Sequence, residues 1–316
     1  MKAGIVGIGA VGRAAALAAV QRGSANELVL VNRNRKVSEA VALDLGYGVP
    51  LSASLRIRAG DYDALGSAGI VVVAAGVNEQ AGGATDREDQ AGRLRLLDQN
   101  VRVMQEVVLP LVAAAPDAVI LMATDPPDPL TDVVRALAPG ARAFSTGTLL
   151  DSLRFRIHLA DALGVNPRSV RADVFGEHGK SEVLHWSGAA IGGVPLKDIM
   201  VQRGMDEATL KKRVDQRLAN INIIEGIGAS QYGIGIVIAR LIEAVLQDEK
   251  LVVPVGAHQS EEGVTFSLPS VVGAGGVERV LAPHLDAGEH EALARSVATL
   301  KDALARSVAA IAAGQP

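Results

Sequence analysis

The chain has 316 residues, 49% of them hydrophobic, which is enough for one large or two ordinary domains with sizeable cores and excludes a disordered chain. Lys plus Arg number 31 against 35 for Asp plus Glu, a net charge of -4 with no basic block, so no nucleic acid and no anionic membrane is expected as partner. A small molecule is the expected partner. Cysteine is absent, which removes disulfides, thiolate metal sites and cysteine nucleophiles, and no metal is expected.

Met1-Lys2 leads straight into a strand-like run, so no signal peptide is expected, and the longest apolar stretch, Val107 to Ala123, is broken by Pro110, Pro116 and Asp117. That stretch reads as a helix followed by a strand, and a cytoplasmic protein is expected. In chain order, β-branched runs at Ala3 to Val6, Glu27 to Val31, Gly69 to Ala75, Ala118 to Ala123 and Ala141 to Phe144 predict strands. Helical spacing at Ala10 to Arg22, Lys36 to Leu45, Leu94 to Ala115 and Asp128 to Leu137 fills the gaps between them. This alternation predicts a parallel, doubly wound α/β sheet over residues 1–144.

Residues 145–316 read differently and form a second predicted domain of α+β type, with no disordered linker. Asp151 to Leu163 predicts a helix, Val170 to Ile191 short strands, and Asp206 to Gln247 a long helical region with a Gly-rich interruption. Leu251 to Val272 returns to strands, and Asp286 to Ala313 predicts a terminal helix.

Directly after the first strand stands Gly7-Ile8-Gly9-Ala10-Val11-Gly12, opening a helix. Glycines in this place let the backbone and helix N–H groups approach a pyrophosphate, so a dinucleotide is expected at Gly7, Gly9, Val11 and Gly12. The second strand then ends in Asn32-Arg33-Asn34-Arg35, where a carboxylate usually accepts hydrogen bonds from the NAD ribose. NAD is the expected cofactor; with no acid to repel a 2′-phosphate and arginines adjoining, NADP is the alternative, set against the reading that both arginines are solvated surface charges.

Chemistry concentrates at Asp151-Ser152-Leu153-Arg154-Phe155-Arg156 and, 27 residues after Asp151, at Gly176-Glu177-His178-Gly179. A histidine that takes a proton from an alcohol at neutral pH needs its cation stabilised, which a carboxylate on the second ring nitrogen does while fixing the tautomer. Arg154, three residues on from Asp151 in a helix, reaches the same cleft and can hold a substrate carboxylate through two parallel hydrogen bonds. The plainer reading makes Arg154 or Arg156 a solvated helix charge, and one of the two is expected to be so. The remaining histidines show no partner pattern and read as surface or core.

With these pieces placed, the chain resembles the lactate/malate dehydrogenase superfamily over nearly its whole length. The resemblance rests on an ordered set of motifs: the Gly7, Gly9, Gly12 turn, Ala74-Ala75-Gly76-Val77-Asn78, Thr124-Asp125-Pro126-Pro127-Asp128, Gly147 to Arg156, Gly176-Glu177-His178-Gly179 and Gly228-Ala229-Ser230-Gln231-Tyr232-Gly233-Ile234. It implies a Rossmann domain followed by a catalytic domain, and an NAD(P)-dependent L-2-hydroxy acid dehydrogenase. His178 is implied as proton acceptor and donor, Asp151 as its partner and Arg154 as the anchor of the substrate carboxylate. Ser230 matches a small hydroxyl residue near the substrate, Ile234 an apolar residue against the nicotinamide, and Ala75, Gly76 and Asn100 further cofactor contacts. A homodimer or homotetramer is implied as well.

A loop arginine that polarises the C2 oxygen is implied too. Arg93 fits, lying 7 before Asn100 and 32 before Asp125, with Arg95 and Arg87 as rivals. Substrate choice in the family depends on a residue of the same loop. Counting back from Arg93 lands on Arg87 and leans toward malate/oxaloacetate, whereas counting forward from Asn78 lands on Glu79, an acid that discourages malate. The alternative is lactate or a larger branched or aromatic monocarboxylate.

Two departures stand out. Asp125 occupies a position where the family usually has Asn, which sets an anion beside an anionic substrate. Three readings follow: a carboxylate neutralised by a cation such as Arg93, an unusual substrate, or a dinucleotide-binding sensor with weak or no turnover. The interval from Gly76 to Arg93 is longer than relatives commonly use, and its Gly82-Gly83 pair suits a lid hinge, with a mobile insertion as the plainer alternative.

Overall fold

The computed structural model describes residues 1–52, 55–77, 92–218, 223, 226–227 and 230–312. Six strands, β1 (Lys2–Val6), β2 (Glu27–Val31), β3 (Arg56–Ala59), β4 (Ile70–Val73), β5 (Val119–Met122) and β6 (Ala143–Ser145), run parallel in the spatial order β3-β2-β1-β4-β5-β6. The order reverses between β1 and β4, the place where ligands bind in open parallel sheets.

These strands read as near-continuous apolar runs because both faces of the sheet are covered. Ala3, Ile5, Ile70, Val72, Val119 and Leu121 point into a core shared with α1 (Ala10–Arg22) and α8 (Tyr232–Leu246). Their neighbours Val6, Val71, Val73, Ile120 and Met122 point the other way, against Met104, Val108 and Leu111 of α3 (Leu97–Ala114) and Leu130 and Val133 of α4 (Pro127–Leu137). Helix α2 (Arg35–Gly48) flanks β3 at the sheet's edge, with Asn34 capping its first turn by accepting the Lys36 N–H.

The sheet continues past β6. The antiparallel strands β12 (Leu251–Gln259), β13 (Val264–Gly273) and β14 (Gly276–Val280) join it through the Gly256–Ser145 pairing, making nine strands. Between them in the chain lie α5 (Leu149–Leu163), α6 (Leu196–Arg203) and α7 (Glu207–Leu218), which bury Phe155, Leu159, Leu196, Met200, Leu210 and Val214 in a separate core. The short strands β7 (Val170–Arg171), β8 (Val174–Phe175), β9 (Val183–Leu184), β10 (Ala190–Ile191) and β11 (Val194–Pro195) form two small sheets in this part. The last helix, α9 (Ala287–Ala312), packs Val297 and Leu300 on Val264 and Phe266 of β13.

The α/β class and the doubly wound parallel sheet are as the sequence predicts. Four elements are additional: β3, the two-residue β11, β14 and α6. β3 was hidden because Arg56 and Arg58 interrupt its short apolar pattern; as an edge strand it tolerates charge, and Arg58 pairs with Glu27 across the strand pair at 2.7 Å. β14 is an edge strand as well and carries Glu278 and Arg279 outward, and α6 has only eight residues. Part of the Gly-rich interruption predicted before α8 lies outside the described residues. No helix among the described residues is long and apolar enough to cross a membrane.

Candidate active site

The glycine turn after β1 has the shape a dinucleotide needs. Gly7 adopts φ +95°, and a Cβ there would lie 2.3 Å from the Ala75 nitrogen, so β1 and β4 meet backbone to backbone at the point where the strand order reverses. A Cβ on Gly12 would lie 2.0 Å from the Gly7 carbonyl oxygen. Gly9 borders open space instead. Above this turn is a cavity of about 610 Å³ lined by Gly7, Gly9, Asn32, Arg33, Ala75 and Gly76. Its size and glycine floor fit a nicotinamide dinucleotide, whose pyrophosphate the N–H groups at the start of α1 would hold.

The predicted cofactor residues divide by position. Asn32 lines the cavity, but its side chain is engaged with the backbone: Oδ1 accepts the Ile8 N–H at 3.0 Å and Nδ2 donates to the Asn34 carbonyl at 3.0 Å. Asn100 is fully buried; its amide accepts the Val77 N–H at 2.7 Å and donates to the carbonyls of Val77 and Asp125. It joins the end of β4 to the turn before α4. Val11 and Ile234 are half-buried against the same core cluster, on α1 and α8.

The second cluster assembles from α5, the turn after β5 and the loop after β8. His178 Nδ1 lies 2.5 Å from Asp151 Oδ2. The other oxygen of Asp151 accepts Arg154 Nη1 at 2.8 Å, and Arg154 Nη2 donates to Ser230 Oγ at 3.1 Å. A single buried carboxylate thus bridges the imidazole and the guanidinium. Asp125 lies on the opposite side of the ring, its Oδ1 3.8 Å from His178 Nε2. The structure brings His178, Asp151, Arg154, Asp125 and Ser230 together.

Local sequence explains this convergence. Gly147 turns the chain from β6 into α5, whose first residues carry Asp151 and Arg154 on one face. Ser152 is locked to β8, its Oγ accepting the Val174 N–H at 2.8 Å, and Thr148 Oγ1 donates to the Val174 carbonyl. Both contacts set the start of α5 against the strand that leads to His178. Arg156 points elsewhere, donating to the Ala172 carbonyl and pairing with Asp173 at 2.6 Å, so of the two arginines it is Arg154 that shares Asp151 with the histidine. Arg87 lies outside the described residues, as does the side chain of Arg93, whose backbone belongs to the turn Gly92–Leu96.

Two features were missed from the sequence. Asp128 is fully buried behind the histidine: Oδ2 accepts the backbone N–H of His178 at 3.1 Å and Oδ1 the Ser145 hydroxyl at 2.5 Å. Burial pushes its carboxyl up to about 7, with those two hydrogen bonds opposing the rise. Only its adjacency to Asp125 could have drawn attention to it. His258, read from sequence as lacking a partner, pairs with Asp132 at 2.8 Å; the same carboxylate also accepts the Thr265 N–H and hydroxyl, tying α4 to β12 and β13. Among the described residues, no cluster of His, Cys, Asp and Glu could hold a metal ion.

Comparison with known proteins places this geometry. Residues 1–143 match the family model for the lactate/malate dehydrogenase NAD binding domain, and residues 148–311 match that for the lactate/malate dehydrogenase alpha/beta C-terminal domain. The chain belongs to the lactate/malate dehydrogenase family, NAD-dependent oxidoreductases acting on the CH–OH group of 2-hydroxy acids. It is 45% identical over 312 residues to an L-lactate dehydrogenase of Thermus aquaticus, covering 96% of this chain and 98% of that one. Against an L-lactate dehydrogenase of Deinococcus radiodurans it is 41% identical over 304 residues, covering 95% and 97%. Among solved structures, a minor L-lactate dehydrogenase from Enterococcus mundtii, in a ligand-bound form, superposes with a TM-score of 0.88 at 33% identity, covering 96% of this chain and 98% of that one.

Proposed function

We propose that this protein interconverts an L-2-hydroxy monocarboxylate of the lactate type and its 2-oxo acid. The observation that carries the reading is the Asp151 carboxylate held between His178 Nδ1 and Arg154 Nη1. When bound, the nicotinamide supplies or accepts hydride at the substrate C2. In the reducing direction His178 gives the Nε2 proton to the C2 oxygen; in the oxidising direction it takes that proton back. Asp151 holds the imidazole with Nε2 toward the substrate and balances the imidazolium charge. Arg154, its Nη1 held by Asp151 and its Nη2 by Ser230, keeps a second N–H on each nitrogen for the C1 carboxylate, and the Ser230 hydroxyl adds a donor there. Arg93 is assigned the task of polarising the C2 oxygen.

The relatives named above are L-lactate dehydrogenases, and they favour a monocarboxylate over the malate lean drawn from Arg87. We infer a homodimer or homotetramer from the family resemblance. The test is oxidation of NADH by the purified protein with pyruvate, oxaloacetate, branched 2-oxo acids and phenylpyruvate, with His178→Ala as the blank. Monocarboxylate turnover lost in the variant is the expected result. A preference for oxaloacetate overturns the substrate assignment, and turnover that survives in the variant overturns the role of His178.

A further inference from the structure

The end of β2 sets this chain's selectivity for the adenosine half of its cofactor. An NAD-selective pocket places a carboxylate here, which accepts hydrogen bonds from the ribose hydroxyls and repels a 2′-phosphate. In this chain the position is Asn32, and its amide is spent on the Ile8 N–H and the Asn34 carbonyl. It presents neither a negative charge nor a free acceptor pair to the ribose.

The charged groups around it decide the rest. The cavity wall contains two carboxylates, Asp61 and Glu106, and one guanidinium, Arg33. Asp61 pairs with Arg35 at 2.5 Å, a guanidinium it shares with Glu39 at 2.8 Å. Glu106 acts on Tyr62, whose hydroxyl is held above its ordinary value by burial and then by that charge. Arg33 is exposed at the cavity mouth and has no hydrogen bond or ion pair among the described residues. Beside Asn32, then, stands the unpaired cation Arg33, with the acids of the wall set apart from it: Asp61 is held on Arg35, and Glu106 acts on Tyr62.

We propose that the cofactor pocket accepts the 2′-phosphorylated dinucleotide, with Arg33 as the phosphate ligand and Asn32 as the residue that no longer excludes it. A guanidinium suits this task, because its planar fork matches phosphate oxygens and its charge persists at all working pH values. The inference rests on the dinucleotide pocket and not on the identity of the 2-oxo acid.

The test is direct binding, read by titration calorimetry without substrate: NADH, NADPH, and the fragments 5′-AMP and 2′,5′-ADP, each against the purified wild-type protein. Loss of a charged hydrogen bond corresponds to roughly tenfold or more in affinity, which sets the scale of the outcomes. Expected is an NADPH affinity within about tenfold of that for NADH, and 2′,5′-ADP binding tighter than 5′-AMP. Arg33→Ser should lower the NADPH-to-NADH affinity ratio by roughly tenfold, and Asn32→Asp should lower it further by restoring the repelling carboxylate. An NADPH affinity more than about a hundredfold below that of NADH, or an Arg33→Ser variant with an unaltered ratio, overturns the proposal. Binding of both cofactors without any turnover would count against the proposed enzymatic reading while leaving this one standing.

Discussion

The carboxylate of Asp128 accepts the backbone N–H of His178 at 3.1 Å, across 50 residues of chain. Its second oxygen takes the hydroxyl of Ser145 at the end of β6. One side chain therefore ties together the start of α4, the strand that leads into α5, and the loop that carries the histidine. These are the segments that bring Asp125, Asp151, Arg154 and His178 to one place.

This clamp is pH-sensitive in a defined direction. Burial raises the Asp128 carboxyl from 3.8 to about 7, so between those values the unfolded chain binds fewer protons at this position than the folded one. Stability from this group is largest at low pH and falls as pH rises through about 7, by an amount on the order of 4 kcal/mol over the window. Asp128→Asn removes the titration. Urea midpoints measured from pH 5 to 8 should fall less steeply with pH in the variant than in the wild type. Parallel curves would mean that Asp128 is ionised in the fold at all these pH values.

Arg154→Lys tests the guanidinium itself. Lysine keeps a cation beside Asp151 but cannot offer two parallel N–H groups to a carboxylate. KM for the 2-oxo acid should rise roughly tenfold to a hundredfold, with a smaller change in kcat, since the lost hydrogen bond to a charged group acts on bound substrate as well as on the transition state. Steady-state kinetics with pyruvate reads both constants. A fall confined to kcat would place Arg154 in the chemistry and not in binding.

The legible parts of the sequence are those where one residue type meets one physical demand. Gly7 and Gly12 were readable because close backbone approach admits nothing larger, and the apolar runs of β1, β4 and β5 because both faces are buried. Asp151 and His178 were readable because a helix face and a Gly-flanked loop fix where they point. Asp128 was not, because its partner is a backbone N–H, which leaves no mark on residue identity at 178. The His258–Asp132 pair was missed for a related reason: it spans 126 residues and depends on the β12–β13 hairpin returning over α4. β3 lacks the continuous apolar run of the covered strands, because it lies at the sheet's edge and arginines occupy two of its four positions.

Gly9 and Gly12 separate cofactor contact from folding. A Cβ on Gly12 collides with the Gly7 carbonyl at 2.0 Å, and Gly7 cannot retreat because its own Cα faces the Ala75 backbone. Gly12→Ala should therefore destabilise the fold by about 1–3 kcal/mol as well as weaken binding. A Cβ on Gly9 meets nothing within 4 Å, and the residue has φ −78°, which alanine adopts without strain. Gly9→Ala should melt close to the wild type yet bind NADH at least about tenfold more weakly, because its methyl occupies the cofactor's space. Thermal unfolding and NADH titration of both variants check this, and unimpaired NADH binding by Gly9→Ala would remove the glycine turn from the cofactor site.

Asp125 is the group whose presence in the site is least expected on electrostatic grounds. Its carboxylate stands 3.8 Å from His178 Nε2, the nitrogen proposed to exchange a proton with the substrate, while Asp151 already occupies Nδ1. A 2-oxo acid brings a further negative charge to this side. Asp125→Asn keeps the size and one acceptor, removes the charge, and adds an N–H that can donate to the C2 oxygen. It should raise kcat/KM for pyruvate by roughly tenfold, about 1.4 kcal/mol. That is a fraction of the ~4 kcal/mol two like charges 4 Å apart exert near a protein surface. Pyruvamide, which lacks the substrate's charge, separates the two effects of the substitution. If repulsion governs, the gain with pyruvamide should be several-fold smaller than with pyruvate. Equal gains would assign the effect to the new N–H donor, and a loss of activity with both substrates would show that the carboxylate of Asp125 takes part in catalysis.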